Sequence, residues 1–142
     1  MSRTDHLLLP RQLYDSMIQH AQTEMPNECC GLLAGTIGPN VLRAAKWYPL
    51  VNEAASPIEY RSEPHSMFQA IKDMRGPGYE VVAIYHSHPT SPPIPSRTDL
   101  ARNYSPDVVN LIIGLNGPEP ILRAWWLLED SFEEAIWEIV NT

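Results

Sequence analysis

A strand that runs into a rigid loop is the feature that most constrains the fold of this chain. Residues 81–85, Val-Val-Ala-Ile-Tyr, are mostly β-branched and apolar, which is typical of a strand buried in a sheet. Four of the seven residues from 89 to 95 are prolines, and they end both strand and helix because proline has no backbone N–H to donate. We expect a short helix after Ser96, so the segment predicts strand, rigid loop and helix in that order.

Side chains that can bind a metal stand at both ends of this loop. His86 and His88 extend the strand, where alternate side chains share a face, so both imidazoles point the same way. Their Cα atoms would lie about 6.5–7 Å apart, close enough to share one ion. Asp99 follows His88 by eleven positions and adds a carboxylate. Three protein ligands leave one tetrahedral position for water, which favours a catalytic zinc site over a structural one.

Ser96 and Asp99 have two interpretations. They have the spacing of a capping box, in which the serine hydroxyl and the acidic side chain satisfy backbone N–H groups at a helix start. Alternatively, Asp99 is a metal ligand and Ser96 places a hydroxyl beside the water. The two histidines upstream favour the second interpretation.

Glu28 is the candidate base for a hydrolytic site, although a carboxylate at the start of an apolar strand is ordinarily a solvated end residue. Cys29 and Cys30 follow it, and neither has a C-x-x-C partner. We expect them to be small packing residues of a reducing compartment rather than metal ligands or a disulfide framework.

The whole pattern resembles the JAMM/MPN metalloprotease family, whose motif is a distant Glu followed by H-x-H-x7-S-x2-D. Glu28 in E-C-C-G-L-L-A-G, His86, His88, Ser96 and Asp99 match every position. The resemblance covers most of the chain, and its compact single-domain form is similar to the prokaryotic members. It implies one domain over residues 1–142, of α/β class, with a curved mixed β-sheet flanked by helices on both sides and kinship with the cytidine deaminase fold.

The resemblance also implies the activity. One Zn²⁺ bound by His86, His88 and Asp99 would serve a peptidase or isopeptidase, with Glu28 as general acid/base and Ser96 donating to the oxyanion. The implied partner is a ubiquitin-fold protein, a sulfur carrier or small modifier, cut after its C-terminal Gly-Gly. Only eight residues separate Asp99 from Val108, so the long insertion of larger family members is not expected.

Other classes of protein fit less well. A non-catalytic scaffold of the same family would typically lack the metal ligands. A cupin requires a glutamate where Pro92 and Pro93 stand, and iron oxygenases usually order their ligands differently. The segment E-C-C-G-L-L and the acidic charge count against a DNA-repair relative, and zinc deaminases need a P-C-x-x-C that is absent.

Composition is that of an ordinary globular domain. The net charge of −7 argues against binding nucleic acid through its phosphates. No apolar stretch is long enough for a membrane span, and the three leucines at positions 7–9 are too few for a signal peptide, so we expect a cytoplasmic protein.

Periodicity and turn residues predict the remaining elements. We expect a helix that begins at Pro10 and runs to about residue 25, and a second helix capped by Ser62 and ended at Gly76. Strands are expected at 29–34, 41–48, 108–115, 121–128 and 132–140. The resemblance suggests that Asn52 shapes the substrate groove. The remaining histidines are expected at the surface or sheet edge: His6, His20 and His65. The tryptophans are expected mainly in the core, although one of them could line a peptide groove: Trp47, Trp125, Trp126 and Trp137.

Overall fold

A computed structural model of the chain describes residues 5–101 and 108–141. Eight strands form one mixed sheet in the order β7-β6-β5-β4-β2-β3-β1-β8. Three helices accompany them in the described part of the chain. In chain order the elements are β1 (His6–Pro10), α1 (Arg11–Thr23), β2 (Cys30–Gly38), β3 (Val41–Leu50), α2 (Pro64–Arg75), β4 (Glu80–His88), α3 (Arg97–Ala101), β5 (Val109–Gly114), β6 (Ile121–Leu127), β7 (Phe132–Glu134) and β8 (Ile136–Val140).

The sheet curves until its two edges nearly meet. Strands β7 and β8 lie at opposite ends of the strand order, yet only Ala135 separates them in sequence. The register shifts on both sides of Ala34 in β2, because β3 and β4 each carry one extra residue opposite it, Ala45 and Val82. A bulge bends its strand and increases the local twist. Gly35 is required there, because a Cβ at that position would overlap the carbonyl oxygen of Arg43.

Helices cover both faces of the sheet, so the expected α/β architecture with a curved mixed sheet is confirmed. On one face, α1 contributes Met17 and Ala21 to the larger core. On the other, α2 contributes Ala70 and Met74, and α3 packs Leu100 beside β5 and β6. Burial of these apolar side chains is the main source of stability. None of the described helices has the length and apolar character needed to cross a membrane.

Three expected element boundaries are wrong. Pro10 does not begin a helix: it ends β1, which pairs in parallel with both β3 and β8, and α1 starts at Arg11. Ser62 does not cap α2; the Glu63 carboxylate accepts hydrogen bonds from the backbone N–H groups at positions 65 and 66. The single strand expected at 132–140 is two strands, because its halves pair with β6 and β1 at opposite edges.

Two sequence expectations fall on residues that the structure does not describe. The first concerns the N-terminus, which was not expected to be a signal peptide and which includes residues 1–4. The second concerns the short connection after Asp99, which includes residues 102–107. Residues 1–4 and 102–107 lie outside the described ranges.

Candidate metal centre

Strand β4 carries two histidines to one face at its carboxyl end. His86 and His88 are both buried, their ring centroids lie 5.0 Å apart, and their Nε2 atoms are separated by 3.2 Å. The alternation of side chains along a strand produces this arrangement. In the neighbouring strands, His86 pairs with Cys30 of β2 and Ile112 of β5, so it lies in the middle of the sheet.

Helix α3 returns Asp99 to the two histidines. One carboxylate oxygen, Oδ1, lies 3.1 Å from His86 Nε2, and the other, Oδ2, lies 3.1 Å from His88 Nε2. Ser96 N–H donates to Asp99 Oδ2 at 2.9 Å, and Asp99 N–H donates to Ser96 Oγ at 3.1 Å. Both interpretations of this pair therefore describe real geometry: the capping box is formed, and it holds the carboxylate against the imidazoles.

The proline-rich loop is fixed at its centre. Pro92 carbonyl accepts a hydrogen bond from His88 Nδ1 at 2.8 Å, and the next carbonyl, of Pro93, accepts one from Trp125 Nε1 at 2.9 Å. Pro93 also lies against Gly114 of β5, where a Cβ would be 2.6 Å from Pro93 Cδ. A glycine at position 114 therefore allows the loop to approach the sheet closely enough to reach His88.

These three side chains fit a metal ion. Their ligand atoms lie within 4.8 Å of one another. His88 donates from Nδ1 to a carbonyl, which leaves the lone pair of Nε2 directed toward the other two groups; this is the usual tautomer of a metal-binding histidine. Two imidazoles and one carboxylate are a donor set typical of zinc and iron sites. The group can therefore hold a divalent transition metal.

The electrostatics of the group also favour a cation. Burial by itself raises the pKa of Asp99, but the nearby imidazoles His86 and His88 outweigh it and hold the pKa well below its usual range. Burial lowers the pKa of His88, but the hydrogen bonds to Asp99 and Pro92 outweigh it and raise the pKa above its usual value. Both shifts mean that positive charge is stabilised between the imidazoles and the carboxylate.

Glu28 lies next to this group and is buried rather than solvated. It is 4% exposed, and its Oε1 atom has no hydrogen-bond partner among the described residues. Burial raises its pKa to about 8, with the negative charge of Asp99 adding to the shift and the positive charge of His88 opposing it. Its backbone is held by the Ser56 carbonyl, which accepts Glu28 N–H at 2.8 Å. The interpretation of Glu28 as a solvated strand end is wrong.

Comparison with known proteins identifies the family. The family described as prokaryotic homologs of the JAB domain matches residues 10–128. The chain belongs to this family. This JAB domain is 34% identical over 119 residues to a desampylase of Haloferax volcanii, a match that spans 80% of this chain and 84% of that protein. It is 31% identical over 129 residues to a CysO-cysteine peptidase of Mycobacterium tuberculosis, across 90% of this chain and 87% of the relative.

A solved structure has the same fold. The solution structure of a protein from Desulfitobacterium hafniense superposes with a TM-score of 0.88 and 31% sequence identity, covering 96% of this chain and 94% of that one. The JAMM/MPN resemblance is therefore confirmed.

Sequence reasoning missed two residues of this JAB domain that contact the metal group or its loop. Tyr60 stacks on His86, with ring centroids 4.7 Å apart and an interplanar angle of 26°. It lies in the irregular connector between β3 and α2, where no periodicity marks it. Gly114 falls within the strand predicted at 108–115, and a glycine inside a strand is itself a signal that another backbone approaches closely.

The connector has an organising residue in Asn52. Its Nδ2 atom donates to the carbonyls of Glu28 and Glu59, and its Oδ1 atom accepts from the N–H groups of Ala54 and Arg61. Asn52 thus ties the connector to the residue that precedes the cysteines. The role of Asn52 in shaping a substrate groove stays a prediction.

The remaining candidates lie outside the metal group. Cys29 and Cys30 are buried free thiols, and burial raises their pKa values to about 12 and about 11, so both are un-ionised packing residues. His20 was expected at the surface or sheet edge, but its side chain is only 12% exposed. Its Nδ1 atom lies 2.8 Å from the Tyr85 hydroxyl. The same hydroxyl accepts a hydrogen bond from Trp47 Nε1.

Proposed function

We propose that this JAB domain is a zinc-dependent hydrolase that cleaves a peptide or isopeptide bond after the C-terminal Gly-Gly of a ubiquitin-fold protein. The observation that carries the proposal is the buried cluster of His86, His88 and Asp99 beside a buried carboxyl, Glu28. The names of the relatives, a desampylase and a CysO-cysteine peptidase, support cleavage of conjugates rather than general proteolysis.

The two histidines and Asp99 would hold the metal, and we assign it as Zn²⁺. When bound, zinc would supply Lewis-acid polarisation of the scissile carbonyl and would lower the pKa of a water toward about 7. The second ring nitrogen of His88 stays bonded to the Pro92 carbonyl, which fixes the ligand's orientation and tautomer.

Glu28 would move the protons. It accepts a proton from the attacking water and delivers it to the amine that leaves when the C–N bond breaks. A group that does both works best when its pKa is near the working pH, and burial raises the pKa of Glu28 above that of an ordinary carboxyl, toward this range. Because Glu28 is only 4% exposed, the proton that it accepts is shielded from bulk water until it is delivered to the amine.

Ser96 would stabilise the tetrahedral intermediate. Its hydroxyl oxygen already accepts the Asp99 N–H, so the O–H hydrogen remains available to donate. A donor held in place before the reaction stabilises charge on the oxyanion without reorganisation.

The substrate tail is assigned from its chemistry. Diglycine carries no side chains and can lie extended in a narrow cleft, adding main-chain hydrogen bonds as a strand does. The bound partner would be a sulfur carrier or a small modifier. We place the reaction in the cytoplasm, since two adjacent buried thiols suit a reducing compartment.

Intact-mass spectrometry tests the proposal. The substrate is the same organism's ubiquitin-fold protein, extended by several residues beyond Gly-Gly and incubated with the Zn²⁺-loaded protein. A product that ends at Gly-Gly, lost on chelation and restored by added Zn²⁺, is the expected result. An unchanged substrate mass, with protein shown to contain Zn²⁺, would refute this cleavage and favour a scaffold that only binds its partner.

A further inference from the structure

The two histidines of the metal group are held in different ways. His88 donates a hydrogen bond from Nδ1 to the Pro92 carbonyl at 2.8 Å. His86 is only 1% exposed, and its Nδ1 atom is buried with no hydrogen-bond partner among the described residues. A metal-binding histidine is usually oriented by a hydrogen bond from its second nitrogen. No residue of the described ranges gives His86 such a bond, so a contact of another kind must fix the plane of its ring.

Tyr60 makes a ring contact with His86 that can fix this plane. Its ring stacks on the imidazole at 4.7 Å between centroids, and the two planes are inclined by only 26°. By contrast, the rings of His86 and His88 are tilted by 56°. The torsion that rotates a histidine ring about its Cβ–Cγ bond has a broad energy profile. A stacked aromatic ring opposes this rotation, because turning the imidazole would drive its edge into the tyrosine.

The connector holds Tyr60 from both sides. Asn52 Nδ2 donates to the carbonyl of Glu59 at 3.2 Å, and Asn52 Oδ1 accepts from the N–H of Arg61 at 2.9 Å. The residues that flank Tyr60 are therefore bonded to one side chain, which is itself bonded to the carbonyl of Glu28 at 2.9 Å. The ring is thus mounted on a braced segment rather than on a free loop.

We propose that Tyr60 is a positioning residue for the metal site: its stacked ring fixes the plane of His86 so that Nε2 faces His88 and Asp99. The Nε2 atom then lies 3.2 Å from His88 Nε2 and 3.1 Å from Asp99 Oδ1. This inference rests on the proposed function, because it concerns the residues assigned to the metal. It assigns Tyr60 no contact with substrate.

The test measures metal binding rather than turnover. Zn²⁺ affinity is determined by competition with a chromogenic chelator, and the ligand geometry by the visible spectrum of the Co²⁺-substituted protein. The variants are Tyr60→Phe, which keeps the stacked ring, and Tyr60→Leu, which removes it. Tyr14→Leu is the matched control, since Tyr14 is also partly buried and stacks on Trp137 at 6.1 Å, in the core on α1's side of the sheet.

We expect Tyr60→Phe and Tyr14→Leu to retain wild-type affinity and Co²⁺ spectrum. Tyr60→Leu should bind Zn²⁺ about 10–100-fold more weakly, the usual effect of losing a group that orients a ligand, with an altered Co²⁺ spectrum. A folded Tyr60→Leu protein with wild-type affinity and spectrum would overturn the inference. If Tyr60→Leu does not fold, Tyr60→Met makes the same comparison with a flexible side chain. Failure of the wild-type protein to bind Zn²⁺ would instead refute the proposed function.

Discussion

Gly114 tests how closely the proline-rich loop must approach the sheet. A Cβ added at this position would lie 2.6 Å from Pro93 Cδ and 3.0 Å from Pro93 N, whereas ordinary contact begins at 3.4 Å. In Gly114→Ala the loop must therefore move by about 0.8 Å, the difference between 3.4 and 2.6 Å. A proline ring joined to another proline cannot yield by changing rotamer, so the displacement passes to the loop backbone.

Two measurable losses follow from this displacement. Overpacking of this kind costs about 1–3 kcal/mol, which for a domain of this size lowers Tm by about 3–10 °C. The Pro92 carbonyl moves with its neighbour, so its 2.8 Å hydrogen bond to His88 Nδ1 lengthens. Loss of such a bond typically weakens metal binding by about 10–100-fold.

Thermal unfolding of the metal-free protein gives the first loss, and chelator competition for Zn²⁺ gives the second. Gly117→Ala is the matched control, because it lies in the turn after the same strand and the nearest atom to its new Cβ, the Glu119 carbonyl oxygen, is 4.0 Å away. If Gly114→Ala matched this control in both measurements, the reasoning would be refuted. A lower Tm with unchanged affinity would show that the loop does not orient His88.

Three further predictions concern separate parts of the molecule. Asp99→Asn should weaken Zn²⁺ binding by at least about 100-fold. Glu28→Gln should keep the metal and lower kcat by about 10²–10⁴-fold. A near-normal kcat in Glu28→Gln would exclude Glu28 as the base. Burial lowers the pKa of His20 in the folded protein below 6.5. As the pH drops below 6.5, the unfolded chain therefore binds the proton more readily than the folded protein, and the free energy of unfolding falls. Urea unfolding at pH 7.5 and 5.5 measures this loss of unfolding free energy, which should be smaller in His20→Gln than in the wild-type protein. An equal loss in the two proteins would contradict the prediction. Asn52→Ala loses four hydrogen bonds and should reduce the unfolding free energy by about 1–3 kcal/mol, with a change under 0.5 kcal/mol counting against its bracing role.

Local pattern was enough to predict the metal group. The alternation of a strand places His86 and His88 on one face whatever the rest of the fold does. The spacing from Ser96 to Asp99 is that of a capping box, and its formation fixes the direction of the carboxylate. These three side chains depend on short-range geometry, which a sequence displays directly.

Long-range pairing could not be predicted in the same way. The three leucines at 7–9 form part of β1 only because β3 and β8 lie on either side of them, and β8 begins at Ile136. Nor does any local signal show that Tyr60 lies against His86, since the connector has no periodicity. Such contacts depend on how distant segments meet, and the residues that make them carry no regular spacing.

The position of Glu28 shows how a local motif and a long-range register depend on each other. Cys30 pairs with His86, so the two residues that precede Cys30 lie alongside the end of β4. Slipping this register by one residue would turn every side chain to the opposite face and move the Glu28 carboxyl away from the metal group. Shape prevents the slip: the Tyr85 ring lies over Gly31, where a Cβ would overlap it, and Cys29 N–H donates to the buried Ser87 Oγ at 2.8 Å. The glycine of the E-C-C-G motif thus serves the same site as its glutamate, because it admits the ring that holds β2 in the register Glu28 requires.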